Sequence, residues 1–172
     1  MEKKVTSHIV KGLIISLILI LISVISNLTG NERSSWVTWA SNIILFGGIV
    51  WACISYGNQM NHEVTYGNVF AHGFKTSAVI TVITIAFTII FLLAFPDIKE
   101  KALEIARQEM DKQSQLTDDQ KDTAMEITRK FFLPITIGAI LLMYLIVGLI
   151  ASLIGAALTK RNPQSPFANP VR

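Results

Sequence analysis

The chain has 172 residues, of which 51% are hydrophobic, with a mean hydropathy of +0.50 and a formal net charge of +3. One domain's worth of sequence at that hydropathy excludes an ordinary soluble globule and points to lipid. The basic excess forms no Lys/Arg patch interleaved with aromatics, so a nucleic-acid partner is not expected.

The first spanning helix is predicted over about residues 9–28. Its apolar run opens at Gly12, after Glu2, Lys3, Lys4 and Lys11, and just reaches the roughly 20 residues a bilayer demands. A signal peptide is the rival reading, but the run exceeds the usual 7 to 15 residues or so and no A-x-A site follows, so the helix is read as retained. Gly30, Asn31, Glu32 and Arg33 mark a turn, and Asn27-Leu28-Thr29 is a chance glycosylation sequon beside the membrane. Trp36 and Trp39 then open the second span, about 36–56, where amphipathic rings prefer the interface. The single Cys53 lies in that span, has no internal disulfide partner, and serves as a small hydrophobe.

From Gly57 the chain turns polar, with Asn58, Gln59, Asn61, His62 and Glu63, and Thr65 is placed to cap the helix that enters the third span, about 74–95. Pro96 ends it. Nine of the 12 acidic residues (Asp97, Glu100, Glu104, Glu109, Asp111, Asp118, Asp119, Asp122 and Glu126) crowd into the next stretch, which therefore reads as a water-facing element at 97–132. Ala102, Ala106 and Met110 recur at helical spacing among charges, giving an amphipathic helix of about four turns. Thr117-Asp118-Asp119-Gln120 has the form of a capping box, so a second helix starts at Asp118. Its apolar Ala124, Ile127 and Phe131 allow the two to close as an antiparallel hairpin around Ser114 to Leu116. Pro134 marks the junction with a fourth span at about 135–158, either a fresh start or a kink. The tail at 161–172, with Pro163, Pro166 and Pro170, is expected to be disordered.

The predicted fold class is thus an all-α membrane protein: four transmembrane helices, with an extramembrane amphipathic helical hairpin between the third and fourth, in a single domain over 1–172. Four spans put both termini on one side. Seven basic and two acidic residues fall on that side, eight basic and ten acidic on the other, so the Lys/Arg count alone does not fix orientation. The first helix usually dominates, and Lys3, Lys4 and Lys11 favour cytoplasmic termini and a periplasmic hairpin in a bacterial inner membrane.

No Asp, Glu, Arg, Lys or His sits at the middle of a span, where ion pathways and proton relays place them. Ser77, Thr81, Thr84 and Thr88 follow a 4-3-4 spacing along the third helix, a seam for packing or, as an alternative, a polar path. Gly148, Ser152 and Ala156 form a small-xxx-small series with Gly155 beside it, and Gly48 and Ala52 repeat it on the second helix; such seams join helices of one chain or of two copies. His8, His62, His72 and Glu63 are the candidate metal ligands, but their spacing fits no i, i+4 pair, so neither metal nor cofactor is expected. There is no G-x-S-x-G, no H-E-x-x-H and no phosphate-cradling loop, and an enzyme is not expected.

The segment Thr65-Tyr66-Gly67-Asn68-Val69-Phe70-Ala71-His72-Gly73-Phe74-Lys75, the Pro96 break, the charged hairpin, Pro134 and the run Gly148 to Gly155 resemble the Bacteroidota membrane proteins of domain-of-unknown-function family 4199. That resemblance implies a four-span bacterial membrane protein and supplies no activity or site residue. The leading expectation is a non-enzymatic accessory or structural component of a membrane assembly, in contact with the lipid bilayer and with a membrane-protein partner or further copies of itself. One alternative is a small transporter or channel acting as an oligomer; another is a membrane-interface or envelope-stress sensor whose hairpin lies on lipid.

Overall fold

The computed structural model of the chain describes residues 5–30, 34–112 and 117–162. The predicted hairpin turn at 114–116 and the tail from residue 163 lie outside them. The described residues form six helices and no strand: α1 (His8–Leu28), α2 (Ser35–Gln59), α3 (Tyr66–Ala94), α4 (Pro96–Asp111), α5 (Asp118–Lys130) and α6 (Phe132–Leu158). Of these, α1, α2, α3 and α6 are long and apolar enough to cross a membrane. They divide into two compact units, Met1–Thr84 with Met143–Arg172, and Ile85–Leu142.

In the first unit α1 and α2 run antiparallel: Gly48 lies against Ile15, and the Thr6 amide donates to Gln59 Oε1 at 2.7 Å. The first part of α3 runs alongside α1, where Gly12 meets Val79, and α6 returns against α3, where Ser77 Oγ donates to the Tyr144 carbonyl at 3.3 Å. A core of Ile15, Leu19, Leu45, Ile49, Ile80 and Ala151 joins the four. The outward faces of these helices are also apolar, with Leu21 59% and Leu28 82% exposed on α1. Such outward surface is what lipid would cover.

Local signals explain the ends. Ser7 caps α1 by accepting from the Val10 amide, and Gly30, at φ 68°, takes the left-handed conformation just past its C-terminus. Thr65 accepts from the Asn68 amide at the start of α3, as its position predicts. Between α2 and α3, Asn61 and His62 both hold positive φ (51° and 65°), a costly backbone for histidine. Bonds hold it there: the His62 amide donates to the Gly57 carbonyl, and the His62 carbonyl accepts from the Asn162 amide, each at 2.8 Å. His62 Nδ1 lies 3.0 Å from the Lys160 carbonyl.

In the second unit Pro96 occupies the first turn of α4, where its missing N–H costs nothing, with Asp97 beside it. Both bonds of the capping box are formed at α5: the Gln120 amide donates to Thr117 Oγ1, and the Thr117 amide donates to Gln120 Oε1. Thr117→Ala should therefore cost about 1 kcal/mol of α5 stability, measured as faster amide exchange over 118–122. Thr117→Asp, which keeps an acceptor, should exchange like the parent. α5 ends at Lys130 and α6 begins at Phe132, so Pro134 stands in the first turn of a fresh helix.

Candidate functional site

Lys11 is the largest fully buried side chain among the described residues. It sits in the first turn of α1, one residue before the apolar run, yet α1 turns its Lys11, Gly12, Ile15, Ser16 and Leu19 face inward. The ammonium lies 3.2 Å from the Ala52 carbonyl of α2 and 3.4 Å from His72 Nε2 of α3. A lysine ammonium only donates, so His72 Nε2 accepts and the ring proton rests on Nδ1. Tyr56 stacks on the His72 ring with centroids 4.2 Å apart, and its own face lies 5.9 Å from Lys11 Nζ. His8 meets His72 edge-on at 6.1 Å.

The cluster is basic throughout. Lys11 and His8 lie against His72, and the exposed Lys75 follows His72 by three residues, one turn along α3. Among the described residues neither Lys11 nor Lys75 forms an ion pair. A buried charge is ordinarily paired, and here the described acceptors are neutral. The neighbouring layer is tight and small: Cys53, with its Sγ 3.7 Å from the Val69 carbonyl, and Ser152 both press on Gly73, and Ser152 Oγ is buried with no hydrogen-bond partner among the described residues.

A second concentration of charge lies in the other unit. Arg107 of α4 pairs with Asp122 of α5, and Arg129 of α5 with Glu100 of α4 at 3.0 Å. As one partner steps up α4 the other steps down α5, so the two helices run antiparallel. The Asp122 carboxylate, hydrogen-bonded to Arg107, raises the pKa of that guanidinium above its ordinary value. An open cleft of about 710 Å³ runs between them, lined by Glu100, Glu104, Arg107, Glu126 and Arg129 around a floor that includes Leu103 and Met125. Leu103 is the one buried residue of α4, and α5 has none.

A family model described as a protein of unknown function, DUF4199, matches residues 11–161. The chain belongs to that family. No curated protein and no solved structure matches it. The stretch matched by DUF4199 contains the α4–α5 cleft and every residue of the basic cluster except His8.

The small-residue seams fall inside the first unit of this DUF4199 protein. A Cβ on Gly148 would strike Ser77, one on Gly155 would meet Cys53 and the Val50 backbone, and one on Gly48 would meet Ile15. Ala52, Ser152 and Ala156 are fully buried. Ser77 Oγ donates to the Tyr144 carbonyl and Thr81 Oγ1 to the Ser77 carbonyl at 2.9 Å, while Thr84 stands beside Tyr144. Thr88 belongs to the other unit.

Of the four candidate metal ligands, His8 and His72 come together, His62 bonds the chain near Lys160, and no group of three or more His, Cys, Asp or Glu able to hold a metal occurs among the described residues. Sequence reasoning treated Lys11 as a flank of the first span and His72 as part of a polar connection. The signal for both was the helical period: Lys11 lies four residues before Ile15 on the inward face of α1, and His72 four before Thr76 on that of α3.

Proposed function

We propose that this protein is a non-enzymatic accessory component of a bacterial inner-membrane assembly, held by four spans with cytoplasmic termini. In this reading α4 and α5 form an extramembrane hairpin on the periplasmic side that docks a partner membrane protein. The observation that carries the reading is the α4–α5 pair itself. It is braced by its own crosswise ion pairs and opens a preformed charged cleft, while its apolar content is too small to make it a core of its own. Exposed ion pairs add little stability, so this density of charge is better explained by recognition, where complementary charge sets partner choice. The hydroxyl stripe supports a solute path less well, because Ser77 and Thr81 already spend their protons on backbone carbonyls.

The test is affinity capture of the tagged full-length chain from its native membranes in mild detergent, with mass spectrometry of co-purifying proteins. The parent should bring down a membrane protein in near-equal amount. Glu104→Lys with Glu126→Lys, both exposed in the cleft, should lose it. A parent recovered alone, or a partner that tolerates both substitutions, would overturn the reading.

A further inference from the structure

Basic side chains converge from two helices at one level of the first unit. Lys11 and His8 come from α1, His72 and, one turn further on, Lys75 from α3, and Tyr56 of α2 stacks on His72. The acidic side chain among the described residues of this unit is Glu63, in the α2–α3 connection, whereas Lys11, Lys75, Lys160 and Arg161 are basic.

The depth of this cluster follows from helix lengths. α3 has 29 residues and is about 43 Å long, against a hydrocarbon core of about 30 Å, so about 13 Å of it must lie outside. Its C-terminal end, Phe91-Leu92-Leu93-Ala94, is apolar, whereas its N-terminal end carries Tyr66, Asn68 and His72. The overhang therefore belongs at the N-terminus. Lys75, its tenth residue, falls at the boundary between hydrocarbon and headgroups. Lys11 directly precedes the apolar run of α1, and Tyr56 closes that of α2, at the same level. The exposed Lys75 can run its stem along lipid and present its ammonium to the headgroups, with half-buried His8 beside His72 and Lys11 behind.

We propose that the α1–α3 surface at Lys75, His8 and His72 binds the phosphate of an anionic phospholipid, the counter-charge that the buried Lys11 lacks among the described residues. The chemistry recognised is a phosphate monoanion at headgroup depth, donated to by one ammonium in contact and drawn by a second in the layer beneath. The inference is independent of any partner on α4–α5 and requires only that the four long helices span a bilayer.

The experiment is native mass spectrometry of the purified full-length chain in neutral detergent, offered phosphatidylglycerol and phosphatidylcholine of equal acyl chains. One phosphatidylglycerol should be retained in preference. Lys75→Gln should reduce that preference about fivefold, the effect of one basic residue at a membrane surface, while Lys75→Arg keeps it. Lys75 is exposed, so circular dichroism and the protection of Cys53 should be unchanged in both variants. Millimolar inorganic phosphate should not displace the lipid. Equal retention of the two lipids, a preference that survives Lys75→Gln, or displacement by inorganic phosphate would each overturn the proposal. Retention of neither lipid would overturn the membrane reading along with it. Glu104→Lys with Glu126→Lys should leave the lipid preference intact even where it removes a protein partner.

Discussion

Gly148→Ala should lower the thermal unfolding midpoint of the detergent-solubilised chain, and Ser77→Gly in the same chain should restore part of the loss. A Cβ at Gly148 would strike Ser77 Oγ and lie 2.7 Å from Ser77 Cβ. Ser77 is 2% exposed and cannot swing outward. Overpacking of this kind costs about 1–3 kcal/mol, or several degrees in a chain of this length. Ser77→Gly removes both obstructing atoms but also the bond to the Tyr144 carbonyl, which makes the rescue partial and the two substitutions non-additive.

Gly155 differs because its added Cβ would also come within 3.2 Å of the Val50 Cα. Cys53→Ala would remove the Sγ at 2.9 Å but keep the Cβ at 2.8 Å, so Gly155→Ala should resist rescue by Cys53→Ala. Gly47 and Gly138 are the controls: nothing lies within 4 Å of either added Cβ, and alanine there should be neutral or gain up to about 1 kcal/mol of helix propensity. In the chains that keep it, Cys53 supplies the readout, since it is the sole cysteine and is buried, so its reaction with a maleimide dye reports unfolding; the Cys53→Ala chains are followed by circular dichroism. A Gly148→Ala chain as stable as Gly47→Ala would show that α3 and α6 do not approach as closely as these distances imply.

Much of this architecture is written in local pattern. The long apolar runs, Pro96, the Thr117 capping box and the charged stretch that follows Pro96 each act over a few residues, and each maps onto a helix or its end. The small-residue spacing of Gly148 to Ala156 could be read, but not which surface it meets, because Ser77, Cys53 and Val50 lie on other helices. The basic cluster was less legible. Lys11 and His72 are 61 positions apart, and each stands beside a polar stretch that offers an easier account of it. A lysine at the edge of an apolar run reads as a flank when only the run is scanned. The helical period says otherwise, since Lys11 shares its face with Ile15 and Leu19, both in the core. What no pattern in one segment conveys is that Ala52, Tyr56 and His72 converge on that lysine.

The convergence can be tested by separating the charge of Lys11 from its volume. Lys11→Ala removes the ammonium and most of the side chain, leaving a void and depriving His72 Nε2 and the Ala52 carbonyl of a donor. A loss of about 2–4 kcal/mol is expected. Lys11→Met fills nearly the same space without charge. Exchanging buried charge for an apolar side chain of similar volume is often neutral or stabilising by about 1–4 kcal/mol, and here the described neighbours of the ammonium are uncharged. In neutral detergent the expected order of unfolding midpoints is therefore Met at or above the parent, with Ala well below. Phosphatidylglycerol should narrow or reverse the first step: the parent gains a counter-charge for Lys11 and rises more than Lys11→Met, which meets the lipid through Lys75 alone. A methionine chain as unstable as the alanine chain would mean that the bonds to Ala52 and His72, rather than an unmet charge, govern Lys11. A parent indifferent to phosphatidylglycerol would mean that the ammonium finds its compensation inside the protein, in the Ala52 carbonyl, the His72 ring and the face of Tyr56.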